Sequence, residues 1–265
     1  MFRKEFVLSL SYGKDSLACL GAIEQLGLPL DRIVHTEVWA TDTIPADLPP
    51  MVEFKKKADK IIKERYGIEV ERYSATCIDG EIAYKATYEM GFYHILSRGK
   101  HKGSIKGFPM QKGQWCQKLK LDPFKKIGPC VQYLGIAADE PNRFCNLTKK
   151  KRSPLVEAGW TEEMCRKWCE ENDLLSPIYT TATRGGCWFC HNQSVGQLRL
   201  LRKNYPEYWQ LLLKWDKDSP VTFKPDGHTV HDYDKRFRLE DEMCIDPEAP
   251  FRWDMLNRPL QMRLF

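Results

Sequence analysis

The 265-residue sequence contains no apolar run approaching the length needed to cross a bilayer. Arg3 and Lys4 are followed by too few apolar-leaning residues to form a signal-peptide core. These two absences predict a cytoplasmic protein with no membrane partner. No internal repeat is present, which removes repeat architectures. No G-x-x-x-x-G-K-[ST] occurs and no G-x-G-x-x-G follows a strand, which removes P-loop ATPase and Rossmann dinucleotide-binding sites. Acid is scarce in one stretch. From Arg98 to Lys126, nine Lys or Arg residues and His101 stand against the single acid Asp122, although the net charge of the whole chain is only +5. That stretch predicts an anionic ligand, and with Lys149-Lys150-Lys151-Arg152 it supplies the backbone contacts if the substrate is a nucleic acid.

What is present suits a globular enzyme. With 42% hydrophobic and 12% aromatic residues, the chain can bury one large core, or one core and a satellite. Ten cysteines in a reducing compartment predict buried thiols and metal ligands, not a disulfide framework. Strand-like and helix-like segments alternate, which predicts an α/β fold with a mainly parallel sheet of about five strands flanked by helices. Phe6 to Leu10 reads as the first strand. Cys19, Ala22, Ile23 and Leu26 form the buried stripe of a first helix ended by Gly27. Arg32 to Trp39 and Glu69 to Tyr73 read as strands, with a helix between them that begins after Pro49-Pro50 and ends at Gly67. Val131 to Ile136 reads as a further strand, and Thr161 to Asn172 as a helix capped by Thr161. Cys165 and Cys169 on that helix are expected in the core, as are Cys19 and Cys77. Gly99, Gly103, Gly107 and Gly113, interleaved with lysine, predict either a loop that closes over a charged ligand or a solvated basic loop.

Between the first strand and the first helix stands Ser11-Tyr12-Gly13-Lys14-Asp15-Ser16. A strand that turns tightly into a helix leaves backbone N–H groups unpaired at the helix start, where the macrodipole also favours an anion. Gly13 permits close approach, Ser11 and Ser16 can donate hydroxyl hydrogen bonds, Lys14 can neutralise charge, and Asp15 is placed to cap the helix. Tyr12 is expected to keep φ negative.

This loop resembles the S-G-G-x-D-S loop of the PP-loop nucleotide α-hydrolases. Trp115-Cys116-Gln117-Lys118-Leu119-Lys120 with Pro123 resembles the W-C-x-x-x-K-x-x-P element of phosphoadenosine-phosphosulfate-reductase-like proteins. Gly135-Ile136-Ala137-Ala138-Asp139-Glu140 with Arg143 resembles their G-x-R-x-D-E-x-x-R segment, with Ala137 in place of the usual Arg. Ser153-Pro154-Leu155 and Trp160-Thr161-Glu162-Glu163 resemble their P-L-x-x-W-T-x-E-[DE] stretch. The resemblance runs from about Phe6 to Trp215. It implies a PP-loop nucleotide-binding domain over 1–158 and a smaller helical, metal-binding part over 159–265. It also implies an adenine nucleotide as ligand, held at its pyrophosphate by Ser11, Tyr12, Gly13, Lys14, Asp15 and Ser16. Lys120, Asp139 and Glu140 are implied as further cofactor contacts, the two acids holding Mg²⁺ or orienting Arg143. Their alternative is a capped turn at a strand end. Lys14, Asp15, Lys118 and Arg143 are the implied catalytic residues.

Gly185-Gly186-Cys187-Trp188-Phe189-Cys190 places two thiols at the spacing used by both zinc and [4Fe–4S] clusters. In cluster-bearing relatives a cysteine pair near the W-C element completes the set. Here Cys116 is present but Gln117 replaces its neighbour, leaving Cys130 or Cys145, or else His191, to fill the place.

The G-K-D-S form of the loop is that of relatives that consume ATP. The resemblance therefore implies ATP-dependent adenylation with pyrophosphate release, linked to sulfur transfer or to modification of a nucleic acid or metabolite. A sulfur- or electron-donor protein would be the partner. Two alternatives remain: a thiol-dependent reductase of a phosphosulfate (PAPS or APS), and a nucleotide- or nucleic-acid-binding subunit without chemistry. The reductases use a cysteine in an E-C-G-L-H tail motif. This chain lacks it, and Cys244 is the only cysteine of the tail, which Phe251, Trp253 and Phe265 are expected to dock.

Overall fold

The computed structural model describes residues 4–99, 101–109, 114–145, 147–180, 185–246 and 249–257. Gly113 and Phe265, named above, lie outside the described residues, as do Lys100 and Lys112 of the basic stretch. The first strand, β1, runs Glu5–Ser9, and α1 (Lys14–Leu26) ends at Gly27 in the left-handed region (φ 59°). β2 (Arg32–Glu37) stops two residues short of the expected Trp39. α2 (Pro49–Tyr66) opens on its two prolines, whose missing N–H groups cost nothing there, and stops at Gly67. β3 (Val70–Ser74) is followed by a short hairpin of β4 (Cys77–Ile78) and β5 (Glu81–Ile82), then α3 (Tyr88–Tyr93). A 3-10 turn, Trp115–Gln117, leads into α4 (Lys118–Lys125), β6 (Cys130–Tyr133), α5 (Pro141–Phe144) and β7 (Lys151–Arg152). The helices α6 (Pro154–Ala158), α7 (Glu162–Glu171), α8 (Val195–Asn204), α9 (Pro206–Asp218) and α10 (Val230–Met243) complete the order.

The main sheet has five strands in the order β3-β2-β1-β6-β7, and every pairing in it is parallel. Side chains alternate between its faces, so adjacent residues of β1 serve two cores. Leu8, with Ile33, Val131 and Tyr133, packs on α1, α2, α6 and α7 through Leu17, Leu20, Phe54, Ala58, Leu155 and Cys169. Val7, with Val34, packs on the opposite face against Ile127 and Phe124. Helices therefore cover both faces, as an all-parallel sheet requires. Gly21 lets α1 and α7 approach closely, since a Cβ there would lie 2.4 Å from Trp168 Nε1.

Contacts divide the chain into two units. The first comprises 1–88 and 116–187, and so carries the sheet together with residues 159–187. They belong to it because Cys165 and Cys169 of α7 are buried in the same core as α1. The second comprises 89–115 and 188–265. Its core is aromatic: Phe92, Phe108, Trp188, Trp209, Trp215, Phe223 and Phe237 are all buried. Capping boxes at Ser194–Gln197 and Thr229–Asp232 start α8 and α10. Buried Glu240 is paired by Arg236 (2.6 Å) and Arg199 (2.9 Å). The expected docking of the tail holds for Phe251 and Trp253, which lie under the Arg236 guanidinium at 4.5 and 5.4 Å. Cys77 departs from expectation: it is exposed on the two-residue strand β4, too short to bury alternate side chains.

Candidate active site

The strand order places the site. From β1 the chain passes through α1 to β2 and α2 to β3 on one side, whereas β6 pairs with β1 on the other. The order thus reverses between β1 and β6. In open parallel sheets ligands bind beyond the carboxyl ends of the strands at such a reversal. The two loops there are 11–13 after β1 and 134–140 after β6. They touch: a Cβ on Gly135 would lie 2.5 Å from Ser16 N and 2.7 Å from Asp15 C. Only glycine allows this backbone to cross the start of α1.

The first loop is cross-braced by its serines. Ser16 Oγ accepts from Ser11 N (3.1 Å) and from Ser11 Oγ (3.0 Å), and donates to Gly13 O (2.9 Å). Gly13 is the N-cap of α1 with no side-chain cap, so Asp15 lies one residue inside the helix instead of capping it. The backbone N–H groups of Asp15 and Ser16 have no acceptor among the described residues.

Tyr12 corrects an expectation, because its φ is +58°. A non-glycine residue in this region costs on the order of 1–3 kcal/mol and persists only where its surroundings over-determine it. The Tyr12 side chain is fully buried, donates to the Asp59 carboxylate and accepts from Arg72 Nη2 at 3.1 Å. Burial, reinforced by Asp59, pushes its pKa well up, so the phenol keeps its proton. A ligand can meet only the backbone of this residue.

The Tyr12 ring edge rests on His35, 4.8 Å between centroids. His35 Nδ1 lies 2.8 Å from Leu10 O, which can only accept, so that nitrogen carries the proton and Nε2 accepts from Lys55 Nζ at 2.7 Å. Burial, with the Lys55 charge, lowers the His35 pKa to about 3, and Lys120 on α4 adds to the same field. Lys55 also pairs with Asp47 at 2.5 Å. Neutral His35 thereby fixes the last carbonyl before the loop.

Lys14 is 9% exposed, with Nζ 2.8 Å from Asp15 and 2.6 Å from Glu162. Burial disfavours its charge, but the hydrogen bonds to Asp15 and Glu162 prevail and raise its pKa, so it stays an ammonium. Burial raises the Asp15 pKa, with Lys14 opposing. The second loop supplies Asp139, which accepts from Glu162 N at 3.0 Å and so joins Thr161 in capping α7. Glu140 pairs with Arg143 at 2.6 Å and accepts from Ala137 N at 3.2 Å. Glu140 thus faces Arg143, and Asp139 lies at the capped start of α7.

The remaining candidates are placed elsewhere. Lys118 Nζ is 3.3 Å from Asp79 at the β4–β5 turn, and Lys120 is exposed on the same helix α4. Cys116 sits in the 3-10 turn before α4. Cys130 begins β6 opposite Glu5, and Cys145 is exposed at the end of α5 with its thiol on Asn142 O (3.4 Å). Cys187 is the last residue of the first unit, and Cys190 belongs to the second. Among the described residues no group of three or more His, Cys, Asp or Glu side chains forms a metal-binding constellation.

Sequence reasoning missed three participants. Glu162 was legible only as part of a helix start. Lys55 sits on a helix whose polar residues otherwise read as solvent-facing. Tyr179, whose Oη accepts from Lys14 N at 3.0 Å, stands in an irregular turn without any sequence signal.

No family model matches the chain, and no curated protein matches it.

Proposed function

We propose that this chain is a PP-loop enzyme that binds ATP with its β- and γ-phosphates over residues 11–16 and adenylates an acceptor. The observation carrying this reading is the pair of unpaired N–H groups, Asp15 and Ser16, at the helix start beside the buried Lys14 ammonium. N–H donors, a dipole and a fixed positive charge at one strand-order reversal suit the developing charge of a leaving pyrophosphate.

An acceptor oxygen attacks the α-phosphorus, the bond from that phosphorus to the bridging oxygen breaks, and pyrophosphate leaves with the electron pair. Mg²⁺ bound to the nucleotide would share the charge of its phosphates. Lys14 turns from Glu162 toward the phosphates, Ser11 and Ser16 keep the loop in register, and Arg143 supplies a second cation. The acceptor, now bearing AMP as a leaving group, is open to displacement by sulfur from a donor protein. The acceptor class is a metabolite or nucleic acid, the latter favoured by the basic stretch around Arg98 to Lys126.

The test is pyrophosphate release from ATP–Mg²⁺ by the anaerobically purified chain, offered candidate acceptors and a sulfide source. Release that is lost in Ser16→Ala supports the reading. Turnover of a phosphosulfate without release contradicts it.

A further inference from the structure

Tyr179 lies in a 3-10 turn, Pro177–Thr180, 165 residues from the loop in sequence. Its oxygen nevertheless accepts the N–H of Lys14, the first residue of α1, at 3.0 Å, and a Cβ on Gly13 would lie 3.3 Å from it. The phenol oxygen therefore occupies one of the anion-seeking positions at the helix start. Burial raises the Tyr179 pKa, against the lowering effect of the Lys14 N–H and ammonium, so the hydroxyl proton is present at neutral pH. That proton has no acceptor among the described residues. A hydroxyl that accepts one hydrogen bond becomes a better donor for the next.

We infer that Tyr179 is a further anion-binding residue of this site, its hydroxyl passing on the Lys14 N–H by donating its own proton to a non-bridging oxygen of the nucleotide's pyrophosphate group. The inference rests on the function proposed above. It extends the loop's donors beyond the backbone's reach with a neutral group, whose occupant must be an acceptor and, beside Lys14 and the helix start, an anion. The sequence motif contains no such residue.

Calorimetric titration with pyrophosphate–Mg²⁺ tests it on the full chain, Tyr179→Phe and Lys14→Ala. Tyr179→Phe keeps the ring and is expected to weaken pyrophosphate binding about 10- to 150-fold, the range for one hydrogen bond to a charged group. If the native chain binds pyrophosphate in a Lys14-dependent way and Tyr179→Phe binds as tightly or more tightly, the inference falls and the loop reading stands. If the native chain does not bind, or Lys14→Ala binds equally, both fall. Should Tyr179→Phe fail to fold, 3-fluorotyrosine placed at position 179 is the second readout. Its fluorine resonance shifts on adding pyrophosphate, and an unmoved resonance under saturating pyrophosphate overturns the inference.

Discussion

Lys14 Nζ stands 2.6 Å from the carboxylate of Glu162, a residue 148 positions away in the sequence. This ion pair joins the start of α1 to the start of α7 and holds the loop's one ammonium on a carboxylate. A phosphate entering the loop competes for that ammonium. Glu162 is half exposed, so its hold is screened and worth at most about 1 kcal/mol.

Glu162→Gln is therefore expected to raise pyrophosphate affinity about 2- to 5-fold at low salt, with the gain shrinking as salt rises. Titration at two ionic strengths checks this. Weaker binding in the variant would show that Glu162 positions Lys14 instead of competing for it.

Gly135 meets backbone on its crowded side, and backbone cannot turn away as a long side chain can. Gly135→Ala is expected to destabilise the fold by roughly 1–3 kcal/mol, as overpacking does, and to lower pyrophosphate affinity by displacing Ser16 N. Urea unfolding and titration read the two effects. A variant as stable and as tight as the native chain would contradict the close crossing.

His35 makes stability depend on pH. Its folded pKa, about 3, lies below the ordinary 6.5, so between these values the unfolded chain binds a proton that the folded chain refuses. Stability is then full above pH 6.5 and falls as pH drops toward 3, by up to about 1.4 kcal/mol per pH unit for one proton. Urea unfolding at pH 7 and pH 5 is expected to show this slope, and His35→Gln to lose it. Equal slopes in both proteins would contradict a neutral buried His35.

Much of this architecture was legible. Phe6 to Leu10 followed by a glycine-bearing turn and an i, i+3, i+4, i+7 stripe gives a strand and a helix by periodicity alone, and Gly27 and Gly67 mark their helix ends. Cys165 and Cys169 were readable as core for the same reason. β7 was not, since it has two residues, both charged, and Arg152 reads as surface although it pairs with Glu157 at 2.5 Å. The Tyr12 conformation was read with the wrong sign because a propensity for φ < 0 was outweighed by tertiary contacts with Asp59, Arg72 and His35. Within the site, the contiguous loop was legible. Glu162, Lys55 and Tyr179 reach it from distant segments, and pairing across such separations leaves no local pattern.

The most direct measurement is calorimetric titration of anaerobically purified protein with ATP–Mg²⁺ and, separately, with 3′-phosphoadenosine 5′-phosphosulfate, each repeated on Lys14→Ala. ATP is expected to bind and to weaken about 10- to 150-fold in the variant, as loss of a charged hydrogen bond of roughly 1.5–3 kcal/mol requires, with little binding of the phosphosulfate. Preference for the phosphosulfate, or ATP binding indifferent to Lys14, would contradict it.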